Sequence, residues 1–112
     1  MGIYVDQLFK AMPRTAQARQ FGTRWCHLTC DGNLEELHQF AERLGLRRSY
    51  FQDHRLLPHY DLVPSKRAMA VQLGAIETTT EERMQWALQK RQQQEQTVRE
   101  MAEISQEPGL YD

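Results

Sequence analysis

Thr23-Arg24-Trp25-Cys26-His27-Leu28-Thr29-Cys30, followed by Asp31-Gly32-Asn33-Leu34-Glu35-Glu36-Leu37-His38, is the stretch that decides the reading of this chain. Its first half alternates, with Trp25, His27 and Thr29 on one side and Cys26, Leu28 and Cys30 on the other, which is the period of a β-strand. The second set is the drier, so His27 is expected to face a site or a partner. Asp31-Gly32-Asn33 makes a turn, and Asn33 with Glu36 three residues later is a capping-box-like start for a helix. Leu34, Leu37, Ala41 and Leu44 recur at helical spacing, and Gly45 supplies the stop. His38, one turn after Leu34, sits at the margin of that apolar stripe and is expected to be half-buried.

Outward from this unit, Ile3 to Val5 reads as a first strand ending at Asp6, where a side chain can turn into a site. Leu8, Phe9 and Met12 suit a helical turn before Pro13, and Arg14 to Gly22 reads as a mobile basic loop. On the other side, Arg47 to Gln52 is a short strand or irregular connection carrying Tyr50 and Phe51, and Asp53 to Pro58 is a loop. His59 to Val63 is a second extended piece. Pro64 fits the first turn of a helix through Leu73, because its missing amide hydrogen costs nothing there. Gly74 ends that helix and Ala75 to Thr78 forms a short strand. Thr79 or Thr80 caps a last helix running to about Ile104. Its middle, Gln89 to Gln96, has no apolar residue and cannot bury a face, whereas Met84, Trp86 and Leu88, then Val98, Met101 and Ile104, offer apolar contacts at its ends. Glu107 to Asp112 should fray. The expected architecture is a small single α/β domain over residues 1–80, with a short, mostly parallel sheet flanked by helices. A long C-terminal helix follows over 81–106, and then a tail over 107–112.

At 112 residues the chain can bury one core and not two. With 14 Lys+Arg against 15 Asp+Glu the net charge is −1, so nucleic acid and anionic membranes are not default partners. The one remaining route to nucleic acid is a local patch of Arg14, Arg19, Arg24, Arg47, Arg48, Lys66 and Arg67. Cys26 and Cys30 fall on one strand face and are read as reduced thiols. Cys26 and His27, as strand neighbours, point oppositely, so they cannot exchange a proton as nucleophile and base. Asp6, Lys10, Arg14 and Arg19 interrupt the first twenty residues, which makes neither a signal peptide nor a span. A cytoplasmic protein is expected.

The titratable residues gather at element ends: Asp6, His27, Asp31, His38, His59 and Asp61. Such ends are where small α/β domains place ligand sites. His27, His38, His59, Asp6 and Asp61 are the candidate catalytic groups, since imidazole and carboxylate serve as acid, base or metal ligand near neutral pH. The same set with Asp31 supplies the candidates for a divalent metal. Ser65, Lys66 and Arg67 follow Pro64 at a helix start, where free amides, the dipole and two cations would attract a phosphate. No His-Glu-x-x-His, Cys-x-x-Cys, phosphate loop or dinucleotide glycine fingerprint fixes the chemistry further. The expected partner is a small phosphorylated ligand such as a nucleotide or nucleotide signal. As an enzyme the protein would be a phosphoester hydrolase, with or without a divalent ion. The alternative is a non-catalytic ligand-sequestering protein, or one that forms homo-oligomers through its last helix.

Ile3-Tyr4-Val5-Asp6, Trp25-Cys26-His27-Leu28 with Asp31, Glu35-Glu36-Leu37-His38-Gln39-Phe40-Ala41, Arg48, Phe51, His59-Tyr60-Asp61, Pro64-Ser65-Lys66-Arg67 and Gly74-Ala75 occur in an order that resembles the domain-of-unknown-function family number 4031, a family of small bacterial and bacteriophage proteins. The resemblance covers about residues 2 to 80. It implies a polar signature at Asp6, His27, Asp31, His38, His59, Asp61, Lys66 and Arg67, and no activity. Relative to that family Asp53 to Pro58 looks like an insertion, so that His54 and His59 compete for the motif histidine. Tyr60 and Asp61, which follow directly, favour His59. The loop from Pro13 to Gly22 and the helix beyond Thr80 look like additions.

Overall fold

The computed structural model describes residues 2–12, 15, 19–20 and 22–105. The basic loop expected over Arg14 to Gly22 lies largely outside these residues, and the tail from 106 wholly so. Strand β1 (Ile3–Val5), β2 (Phe9–Lys10), β3 (Arg24–Cys30), helix α1 (Leu34–Arg43), a 3-10 turn (Arg48–Tyr50), β4 (Tyr60–Leu62), α2 (Pro64–Gln72), β5 (Ile76–Glu77) and α3 (Thr80–Ser105) follow in order.

β3 is the spine of the sheet. β1 pairs antiparallel to its C-terminal half, with Ile3 opposite Cys30 and Val5 opposite Leu28. β2 pairs antiparallel to its start, with Phe9 opposite Trp25. Between these registers Asp6, Gln7 and Leu8 face only Cys26 and His27, so the edge carries a β-bulge with one extra residue. β4 lies antiparallel along the other edge, with His27 opposite Asp61. Among the described residues only β5 runs parallel to its neighbour, β1.

The sheet is therefore mixed and mainly antiparallel, which corrects the expectation of a mostly parallel one. The helical turn expected at Leu8 to Met12 is extended instead, and Phe9–Lys10 pairs with β3 as strand β2. β2, continuing from β1, pairs antiparallel to the start of β3, and β1 keeps that direction against its C-terminal half. The unpaired backbone at the start of β3 outweighs the local preference around Phe9, as pairing commonly does for short segments.

One face of the sheet is the core. Val5, Cys26, Leu28, Cys30, Tyr60 and Leu62 pack there against Leu37, Phe40, Ala41 and Leu44 of the α1 region and Ala70 of α2. Each fully buried leucine contributes about 1.5–3 kcal/mol. α1 starts as its sequence predicts, with the Asn33 side chain accepting from the amides of Glu35 and Glu36 at 3.1 and 3.3 Å. It stops at Gly45, whose φ of +80° suits glycine. Pro64 opens α2 after Val63. Both cysteines are free and buried. Burial, reinforced by the charge of Asp6, pushes the Cys26 thiol up to about 12, so it stays protonated.

The first turns of α3 cover part of the opposite face. Arg83, 4 % exposed, donates from Nε to Thr29 Oγ1 at 3.0 Å and from Nη2 to the Cys30 carbonyl at 2.8 Å. Its guanidinium lies 4.1 Å from the centroid of the Tyr4 ring and 4.4 Å from that of Trp86. From Arg91 to Glu103 every residue of α3 is exposed, as the polar run through Gln96 predicts. Among the described residues no helix is long and apolar enough to cross a membrane.

Candidate functional site

His27 projects from the outer face of β3, and the register sets its neighbours. Asp61 of β4 stands directly opposite on one side. Asp6, one residue beyond β1, extends the pairing on the other, with its amide donating to the His27 carbonyl at 3.3 Å. Three titratable groups thus share one row across the sheet. Asp6 is 3 % exposed. Its Oδ1 accepts from the His27 amide at 2.6 Å, and its Oδ2 lies 2.6 Å from His27 Nδ1 and accepts from the Thr80 hydroxyl at 2.9 Å.

These bonds determine the charge states. Burial would raise the Asp6 carboxyl, but the ring and amide of His27, its charge and the Thr80 hydroxyl outweigh it and hold Asp6 below its ordinary value. Asp6 is then an acceptor only, so Nδ1–H of His27 is the donor. Burial would lower His27, but the hydrogen bond and charge of Asp6, helped by Asp61, raise it. His59 goes the other way. Burial dominates, the charges of His27 and His54 add to it, and the Leu57 carbonyl and Asp61 only partly offset it.

His59 brings its ring edge-on to His27, with centroids 4.8 Å apart. Its Nδ1–H donates to the Leu57 carbonyl at 2.9 Å, and its Nε2 lies 3.5 Å from Asp61 Oδ1. The other Asp61 oxygen accepts from the Gln52 side chain, which arrives through the isolated pairing of Gln52 with His59. Both imidazoles therefore have Nδ1 committed to an acceptor and keep Nε2 for other work. One ligand atom from each of His27, His59 and Asp61 lies within 4.8 Å of the others. Metal bonds of 2.0–2.2 Å would need the three drawn in by roughly 1 Å. A phenyl ring closes one side: Phe9 stacks on His27 with centroids 4.9 Å apart.

The remaining sequence candidates lie elsewhere. His38 is on the core side, where its Nδ1 meets the hydroxyl of buried Tyr60 at 2.7 Å and its ring packs edge-on to Phe51. It satisfies a tyrosine that the fold buries. His38→Ala should therefore lower stability by about 1–3 kcal/mol through the orphaned hydroxyl, read by urea unfolding. Asp31 is about 13 Å further along the strand from His27. There it accepts from the Tyr4 hydroxyl and pairs with Arg83. Lys66 donates to the Leu44 carbonyl at 2.6 Å, closing the end of α1. Arg67 donates to the Asp6 carbonyl at 2.8 Å and to Glu77 at 3.1 Å. Ser65 is exposed. The start of α2 is thus tied to α1 and β1 through its two cations and does not join the histidines. His54, the rival to His59, accepts from the Leu56 and Leu57 amides through Nδ1 and so shapes the loop that delivers His59.

Gln52, Thr80 and Phe9 complete the site without having been singled out in the sequence. Only the threonine at the start of a helix beside a strand end offered a signal.

The fold and this row define a small mixed-sheet α/β protein whose outer sheet face carries two histidines and a carboxylate, each held by an outer partner. The chain belongs to the family described as protein of unknown function (DUF4031), which it matches over residues 3–90. That match takes in every residue of the row and the docked turns of α3. No curated protein and no solved structure matches the chain.

Proposed function

We propose that His27, His59 and Asp61 hold one divalent metal ion and that the protein uses it to hydrolyse a phosphoester of a small molecule. The observation that carries this reading is the outer shell. Asp6 holds His27, the Leu57 carbonyl holds His59, and Gln52 holds Asp61. Carboxylate or carbonyl partners on Nδ1 are the usual support of metal-binding imidazoles, fixing tautomer and ring direction. Two nitrogens and one oxygen from protein leave coordination positions for water and substrate. Such an ion supplies a hydroxide near neutral pH and polarises a phosphoryl oxygen. Asp6 stabilises positive charge on His27, and Phe9 shields that ring from water.

The test is calorimetric titration of Zn²⁺ and Mn²⁺ into chelator-treated protein, followed by turnover of bis(4-nitrophenyl) phosphate and a panel of nucleotides. One ion per chain, with turnover that needs it, is the expected result. Ion binding without turnover of any ester would leave a sequestering protein. Binding equally tight in a His27→Ala, His59→Ala double variant would remove the site altogether.

A further inference from the structure

The loop that delivers His59 has a second side. Arg55 to Pro58 closes a cavity of about 340 Å³ against Trp86 to Gln94 of α3 and the turn at Gly32. Its lining holds Arg55, Lys90 and Arg91 and, among the described residues, no carboxylate. Arg91 pairs with Glu95 at 3.3 Å. Among the described residues the other two cations have no acidic partner. Lys90 reaches the Asp31 backbone carbonyl at 3.5 Å and lies 5.0 Å from the centroid of the Trp86 ring. Its ammonium rests against Gly32, where an added Cβ would come within 2.7 Å, so the missing side chain keeps the charge at the cavity mouth. The walls are apolar and only partly covered: Leu34 is 38 % exposed, and Leu56 and Trp86 are half-buried over buried Leu57 and Ala87.

Positive charges converging on a concave apolar wall focus the field and favour an anion with something to bury. The volume suits a ligand the size of a nucleoside monophosphate. We infer that this cavity binds a small aromatic anion, its phosphate or carboxylate head between Arg55 and Lys90 and its ring against Trp86, Leu34 and Leu56. The inference stands apart from the metal reading, since none of His27, His59 and Asp61 lines the cavity.

The test follows the indole N–H resonance of Trp86 in ¹⁵N-labelled Trp25→Phe protein, kept in chelator so that no divalent ion contributes. Phenyl phosphate and phenylacetate are titrated separately, with inorganic phosphate as the head alone. A saturable shift with a dissociation constant below ~1 mM for either aromatic anion is expected, and the tighter of the two identifies the head group. Arg55 makes no hydrogen bond or ion pair among the described residues, so Arg55→Glu should keep the melting temperature and weaken binding at least tenfold. The absence of a saturable shift with either aromatic anion would overturn the inference. So would inorganic phosphate binding as tightly as they do, or an Arg55→Glu variant that binds as well as the parent.

Discussion

Asp6→Asn should cost the protein about 10–100-fold in divalent-ion affinity without touching the ion. Asparagine can still accept from the His27 amide, so the backbone contact that Asp6 makes at 2.6 Å survives. The ring contact does not survive in the same form. An amide nitrogen facing Nδ1 donates where the carboxylate accepted, which moves the imidazole proton to Nε2 and removes the lone pair a metal needs. Outer partners of metal-binding histidines typically contribute one to two orders of magnitude, and a tautomer in the wrong state belongs at the upper end. His59→Ala, which deletes a ligand outright, should cost at least as much. Calorimetry with Zn²⁺ on both variants decides the matter, with circular dichroism confirming that each is folded. Affinity unchanged in Asp6→Asn, with His59→Ala abolishing binding, would mean that His27 is not a ligand.

Arg83→Ala should destabilise the fold by about 3–5 kcal/mol, a large fraction of what a domain of this size possesses. The side chain is almost wholly buried, between the Tyr4 and Trp86 rings and on top of Thr29 and the Cys30 carbonyl. Truncation leaves that hydroxyl and carbonyl unpaired and opens a gap between two aromatic rings. Asp31, 43 % exposed, keeps access to water and adds little. Chemical denaturation measures the loss, and a change below about 1 kcal/mol would show that α3 docks without this residue. Since Thr80 begins the same helix and donates to Asp6, undocking should also loosen the carboxylate beneath His27.

The sequence was informative wherever a single segment settles its own faces. The alternation of β3 placed His27 outside and Cys26 and Leu28 inside, and Asn33 with Gly45 marked α1 at both ends. Strand direction was not legible in this way. β1 and β3 carry the same pattern whether they pair parallel or antiparallel, and the connection that decides between them passes through β2, whose backbone pairing outweighs its local preference. His38 joins the other histidines in the sequence reading as a titratable group of the same kind, and helix spacing from Leu34 puts it near the apolar stripe. That same position turns it toward Tyr60 on the core side. Lys66 and Arg67 suit an anion by composition, but the ends of α1 and β1 lie near enough to take their donors. Gln52 has no signal in one dimension, because its role comes from a pairing with His59 across seven residues.

The bulge after Val5 has a consequence for how His27 is held. On an uninterrupted strand, residues three apart point to opposite sides, yet Asp6 and Phe9 both meet the same imidazole, one at its edge and one on its plane. The slip in phase between them makes this clamp possible, and chain length there matters as much as residue identity. At the present length, straightening the bulge would turn one jaw away, whereas excising Gln7 or Leu8 would leave the two residues an even step apart and keep both on the side of His27.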